Sequence, residues 1–199
     1  LTQREVRAAR KTGRASTTRR ENTQVVAVLA RQMGELLLAP MVDAVWARVA
    51  PDTKPPRLRV TVDEAGRAYV GSQAREGGVV IRIDPDNAAT VVAGDLEFPN
   101  GMVLTPDGST LIVAESTGRR LTAFTVGADG LSQRRVFADG LEGPPDGLAL
   151  DVDGGVWTSL TLAHRFDRIL SGGAVTDRVE TGGRVAIACA LGGPEGRAL

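Results

Sequence analysis

The chain has 199 residues with 24 basic and 24 acidic side chains, so its formal net charge is zero. This balance argues against a dedicated nucleic-acid-binding protein, and a single cysteine excludes an internal disulfide framework. No stretch approaches the roughly 18 consecutive apolar residues that span a bilayer, and the Arg-rich N-terminus lacks the apolar core of a secretory signal. We therefore expect a soluble, cytoplasmic protein without a nucleic-acid or membrane partner.

Residues 1–56 differ in kind from the rest of the chain. Residues 1–22 are basic and polar without sustained apolar periodicity, which indicates a flexible arm. Apolar residues then recur at helical spacing from Val25 to Leu37, and Pro40 should end or kink that helix. We predict a basic, helical or disordered extension over residues 1–56 and a β-rich domain over residues 57–199.

Short β-rich runs separated by Gly, Asp and Pro fill the chain after residue 57. About a dozen such runs are typical of an all-β barrel, sandwich or propeller. The predicted strands are residues 58–62, 68–71, 79–83, 90–93, 102–105, 110–114, 121–126, 135–138, 148–150, 156–159, 165–170, 175–179 and 186–191.

Internal repetition favours one of these architectures. The stretch "FPNGMVLTPDGSTLIVAES" returns as "PPDGLALDVDGGVWTSL", with Asn100 and Asp146 at equivalent positions 46 residues apart. A period of about 40 to 50 residues that holds four strands indicates a β-propeller blade. The β region has room for about three such blades, whereas closed propellers have roughly 4 to 8. We therefore predict an all-β fold, a partial β-propeller of about three four-stranded blades.

Asn100 and Asp146 each precede the innermost strand of a predicted blade. In a propeller this position lies at the mouth of the central channel, so an amide oxygen and a carboxylate should point toward one axis. Hard oxygen donors of this kind suit Ca²⁺, Mg²⁺ or Mn²⁺, and Zn²⁺ is a further alternative. The structural alternative is that Pro-Asn-Gly and Pro-Asp-Gly simply form turns, in which these residues are favoured.

The motifs together resemble the senescence-marker-protein/gluconolactonase family, also called regucalcin-like proteins. The resemblance rests on "FPNGMVLTPDGSTLIVAESTGRRLTAF", "PPDGLALDVDGGVWTS" and "ACALGGPEGRAL", and it runs from about Val60 to Leu199. It implies a six-bladed propeller, of which this chain is a truncated member, and a divalent-metal-dependent hydrolase of sugar-type lactones. It also implies that Asn100 and Asp146 are metal ligands and that Asp146 serves as general base.

One ligand that the resemblance implies has no counterpart in this sequence. The family places a Glu in a Glu-Gly-Pro-like segment near the N-terminus, whereas Glu5, Glu21 and Glu35 lie in basic or helical contexts. Residues 1–56 are therefore either foreign to the domain or a helical cap over an open ring. Three hypotheses remain: a lactonase weakened or inactivated by this loss, a non-catalytic metal-binding or protein-interaction module, and a fragment that does not fold stably alone.

One histidine, one cysteine and one Asp-rich stretch have structural interpretations. His164 is the only histidine and is predicted to be a loop residue; with one histidine and one cysteine, a zinc cluster of several His or Cys ligands cannot form. Cys189 lies in an apolar run and is predicted to pack as a small hydrophobic residue. The stretch "DVDGG", residues 151–155, is predicted to form a β-turn rather than a calcium loop.

Overall fold

The computed structural model describes residues 59–192 and 198–199. Over this part of the chain the secondary structure comprises twelve β-strands and one short 3-10 helix, Thr161–Ala163. No helix within it has the length and apolarity of a membrane span. Two predictions fall outside the described residues, the extension over residues 1–56 and the domain boundary at residue 57, and both stay predictions. The cytoplasmic location also stays a prediction.

The strands form three four-stranded antiparallel sheets, each with its strands in sequential order. The first sheet contains β1 (Arg59–Val62), β2 (Ala68–Gly71), β3 (Gly78–Ile83) and β4 (Ala89–Leu96). The second contains β5 (Pro99–Leu104), β6 (Thr110–Glu115), β7 (Arg120–Gly127) and β8 (Gly130–Ala138). The third contains β9 (Pro145–Leu150), β10 (Val156–Leu160), β11 (Arg165–Ile169) and β12 (Val175–Glu180). This arrangement is the predicted partial β-propeller, and we refer to the sheets as blades 1, 2 and 3.

An Asp and a Gly build the turn between the first two strands of a blade. In blade 3, Asp151 Oδ1 accepts the backbone N–H of Asp153 at 3.0 Å and of Gly155 at 2.8 Å. Gly154 has a φ of 82°, a left-handed backbone conformation that residues with a Cβ atom rarely adopt. The β-turn predicted for residues 151–155 is therefore confirmed, and Asp151 is committed to it and to an ion pair with Arg168 at 2.6 Å.

Strand β6 shows how neighbouring blades pack. Its side chains alternate between two faces, so that Leu111 and Val113 join one buried cluster while Ile112 and Ala114 join another. The first cluster includes side chains from blade 1, and the second includes side chains from blade 3. Both faces of the strand are covered, and for this reason its sequence is a continuous apolar run. The hydrophobic core is thus layered between the blades.

The predicted strand at residues 186–191 is wrong, because this segment forms no β-ladder among the described residues. Its Ile187 carbonyl accepts the backbone N–H of Gly147 at 2.9 Å and the hydroxyl of Ser159 at 2.8 Å. These bonds hold the segment against β9 and β10, but Val185 and Ile187 remain 55% and 51% exposed. The segment has strand-like residues without a regular hydrogen-bonding neighbour in the described part of the chain.

Candidate functional site

The Pro-Asn-Gly and Pro-Asp-Gly triplets lie inside the innermost strands β5 and β9, so the alternative that they form turns is wrong. Neither Gly101 nor Gly147 has a positive φ, and a turn conformation is therefore not what requires glycine. A Cβ on Gly101 would overlap the backbone carbonyl oxygen of Asp146. Glycine is needed because the innermost strands of blades 2 and 3 touch at this point.

Asn100 and Asp146 thus occupy the second positions of two adjoining innermost strands. The Asn100 side chain is buried, with 6% of its surface exposed, whereas Asp146 is half-buried. Strand β5 contacts β9 on one side and β1 on the other, and the three blades therefore meet at their first strands. The sequence repeat brings these two polar residues to the same region of the fold through this packing.

Hydrogen bonds hold the Asn100 amide at both of its ends. Gln73 Nε2, from the loop between β2 and β3, donates to Asn100 Oδ1 at 3.0 Å. Asn100 Nδ2 donates to Ser116 Oγ at 3.3 Å, and Ser116 Oγ donates to the Pro145 carbonyl oxygen at 2.6 Å. Residues from all three blades therefore take part in one chain of hydrogen bonds, which ends beside Asp146.

Cys189 lies against strand β9, close to Asp146. Its Sγ lies 3.6 Å from the Gly147 carbonyl oxygen and 3.5 Å from that of Trp157, and its single S–H can donate to either. Burial raises the pKa of the Cys189 thiol to about 11, and the negative charge of Asp146 adds to the increase. The thiol therefore stays protonated and packs as a neutral group beside the Asp146 carboxylate.

Glu115, next to Ser116, is fully buried and serves the structure between blades 1 and 2. It pairs with Arg120 at 2.8 Å and with Arg134 at 3.3 Å, and it accepts the Glu97 N–H at 2.7 Å and the Thr122 hydroxyl. Burial alone would raise the pKa of Glu115, but these hydrogen bonds and charges outweigh it and lower the pKa. Its oxygens are committed to these partners, so we do not count Glu115 among the candidate ligands.

Sequence reasoning missed Gln73 and Ser116. Ser116 has a signal in the repeat, because it directly follows the second strand of blade 2 just as Thr161 directly follows that of blade 3. Both residues donate their backbone N–H to the carbonyl oxygen of the residue that directly precedes the first strand of the blade. The acceptor is Phe98 in blade 2, at 3.1 Å, and Pro144 in blade 3, at 3.1 Å. Gln73 has no such signal, since it lies in a loop of another blade, 27 residues from Asn100.

The donors at this site fit a hard divalent cation in kind. Asn100 provides an amide oxygen and Asp146 a carboxylate, the ligand types that Ca²⁺ and Mg²⁺ prefer. Among residues 59–192, 198 and 199, no group of three or more His, Cys, Asp or Glu side chains is arranged to hold a metal ion. Glu5, Glu21 and Glu35 lie outside the described residues, so their distance from Asn100 and Asp146 stays untested.

Comparison with known proteins gives the family of the chain. The family model described as "SMP-30/Gluconolactonase/LRE-like region" matches residues 3–199. The 6-deoxy-6-sulfogluconolactonase of Pseudomonas putida is 31% identical over 146 residues, which are 69% of this chain and 50% of that protein. The chain thus spans about half the length of this lactonase, and it spans 49% of the pentonolactonase XacC of Haloferax volcanii.

Two of the solved structures illustrate the shared fold. A gluconolactonase from Xanthomonas campestris has a TM-score of 0.59 and 27% identity, over 66% of this chain and 49% of that one. A calcium-binding protein, regucalcin, from Agrobacterium tumefaciens has a TM-score of 0.60 and 23% identity, over 70% and 50% of the two chains. The family expected from the motifs is confirmed: the chain belongs to the SMP-30/gluconolactonase/LRE-like family.

Proposed function

We propose that this chain carries part of the site of a divalent-cation-dependent hydrolase of sugar-type lactones. Family membership supports the reaction class, and the relatives named above include lactonases. The observation that carries the proposal in the structure is the direct contact between strands β5 and β9 at Gly101. Through it, Asn100 and Asp146 occupy equivalent second positions in two adjoining strands.

Asn100 Oδ1 and the Asp146 carboxylate are the proposed ligands. Ca²⁺ is the first candidate because both donors are hard oxygens, and Zn²⁺, Mg²⁺ and Mn²⁺ are the alternatives. When bound, such a cation supplies Lewis acidity toward the lactone carbonyl. A small-molecule lactone is the corresponding partner.

Asp146 is also the proposed general base. Its half-buried carboxylate accepts a proton from the water molecule that attacks the lactone carbonyl. The bond between the carbonyl carbon and the ring oxygen then breaks, and the ring oxygen takes up the proton that Asp146 accepted, which restores the carboxylate. One water is consumed for each lactone, and the product is an open hydroxy acid. General-base assistance of this kind contributes about 10²- to 10⁴-fold to the rate.

Titration of the acid released from gluconolactone tests the proposal. The protein is first treated with a chelator and then supplied separately with Ca²⁺, Mg²⁺, Mn²⁺ or Zn²⁺. We expect cation-dependent hydrolysis that Asp146→Asn abolishes and Asp129→Asn, an exposed matched substitution, leaves intact. Hydrolysis that survives both chelation and Asp146→Asn would overturn the proposal.

A non-catalytic cation-binding or protein-interaction module is the second candidate function. It is favoured by the two-residue donor set of the described chain, in which no cluster of three His, Cys, Asp or Glu side chains occurs. The same samples separate the two candidates. Calorimetric binding of Ca²⁺ that Asp146→Asn weakens, together with no acid release from any lactone supplied, identifies the module.

A further inference from the structure

The hydrogen bonds around Asn100 have a fixed direction. The Pro145 carbonyl oxygen can only accept, so the single hydroxyl proton of Ser116 is committed to it at 2.6 Å. Ser116 Oγ can then only accept from its other neighbour. That neighbour must present its NH₂ group, and Nδ2 of Asn100 is accordingly 3.3 Å from Ser116 Oγ.

This direction decides where the oxygen of the Asn100 amide lies. With Nδ2 toward Ser116, Oδ1 lies on the side of Gln73, whose Nε2 donates to it at 3.0 Å. A flipped amide would place Oδ1 against Ser116 Oγ with no proton between two acceptors, and it would set Nδ2 against the Nε2 donor of Gln73. Asn100 and Ser116 are 6% and 9% exposed, and unmade hydrogen bonds at buried groups are costly.

We propose that Ser116 is a positioning residue. Its hydroxyl donates to the Pro145 carbonyl oxygen and accepts from Asn100 Nδ2, and it thereby keeps Asn100 Oδ1 available to the proposed cation. This inference rests on the proposed cation site. An amide oxygen has two lone pairs, so the bond from Gln73 and a cation can share Oδ1. Because Ser116 bonds to blade 3 at Pro145, it also ties the orientation of Asn100 to the strand that carries Asp146.

Substitutions at Ser116 test the inference with two measurements. Calorimetry gives the Ca²⁺ and Mn²⁺ affinities, and ¹⁵N–¹H spectra follow the side-chain NH₂ signal of Asn100, which is assigned by its loss in Asn100→Ala. We expect Ser116→Ala to weaken cation binding about 10- to 100-fold, the usual effect of removing a partner of a metal ligand. The NH₂ signal should move at the same time.

The controls separate positioning from a purely structural role. Ser116→Thr keeps the hydroxyl and should restore both measurements, while Ser132→Ala removes an exposed hydroxyl on β8 and should change neither. If Ser116→Ala does not fold, Ser116→Cys takes its place, because a thiol is a much weaker donor. A structural role alone would lower the melting temperature and leave the affinity of the folded protein unchanged.

Two results would overturn the inference, and they are distinguishable. A folded Ser116→Ala protein with parental cation affinity and an unmoved NH₂ signal overturns the positioning role and leaves the proposed function standing. A parent protein that binds neither Ca²⁺ nor Mn²⁺ overturns the proposed cation site, and the inference falls with it.

Discussion

Gly101 lies directly against the backbone of Asp146, so closely that a Cβ at Gly101 would overlap the Asp146 carbonyl oxygen. The obstacle is backbone rather than a flexible side chain, and neither strand can move without disturbing its own blade. The contact therefore sets the spacing between the innermost strands of blades 2 and 3.

Gly101→Ala should therefore destabilise the protein by about 1–3 kcal/mol or more, as overpacking of a tight contact does. The matched control is Gly94→Ala on β4, where an added Cβ meets nothing within 4 Å and φ is not positive. Thermal unfolding followed by circular dichroism measures both variants. Equal melting temperatures for the two would contradict the close contact.

Glu115→Gln should lower the free energy of unfolding by about 3–5 kcal/mol, the usual range when one partner of a buried ion pair is removed. The carboxylate is fully buried and pairs with Arg120 and Arg134. Glu142→Gln is the control, because Glu142 is 67% exposed where it pairs with Arg165 and exposed pairs contribute about 0–1 kcal/mol. Urea unfolding of both variants gives the comparison, and similar losses would refute the structural role of Glu115.

Stability should fall in acid because the pKa of Glu115 is lower in the folded protein than in the unfolded chain. Its ionised form stabilises the fold above the ordinary glutamate pKa of about 4.3, and this contribution is lost as pH falls through the lower folded value. Melting temperatures measured from pH 7 to pH 3 should drop steeply below about pH 4. Glu115→Gln should flatten this dependence and Glu142→Gln should preserve it; a slope unaffected by Glu115→Gln contradicts the prediction.

Asp151 should leave part of this pH dependence in the Glu115→Gln variant. Burial alone would raise the pKa of Asp151, but hydrogen bonds from Arg168 and from backbone N–H groups outweigh burial and lower it.

Gln73→Leu should weaken cation binding by about tenfold, since it removes the donor to Asn100 Oδ1 while keeping much of the side-chain volume. Gln133→Leu is a close control: both glutamines have a positive φ, 46° and 48°, but Gln133 is exposed on β8. Backbone strain from the substitution is thus the same in both variants. Calorimetry with Ca²⁺ is the measurement, and equal affinities of the two variants would exclude a role for Gln73 at the site.

The sequence was sufficient to predict the blade structure. Asp-Gly turns and short β-branched runs depend on the conformational preferences of neighbouring residues, which explains why the bounds predicted for β2 match the structure at residues 68–71. The recurrence of the motif 46 residues after Asn100 also predicted that Asn100 and Asp146 hold equivalent positions in successive blades. Both inferences need only local preferences and a period.

Other features were decided by contacts between blades, which local preferences do not encode. The triplets at Asn100 and Asp146 have the composition of turns, yet they lie in strands because their glycines allow two backbones to touch. Residues 186–191 have the composition of a strand, but form no ladder in the described chain, where they lack a regular partner. The link from Gln73 through Asn100 and Ser116 to Pro145 joins residues 16 to 29 positions apart. Sequence preferences act within a few residues, whereas the direction of a buried hydrogen bond depends on which groups the packing of the blades brings together.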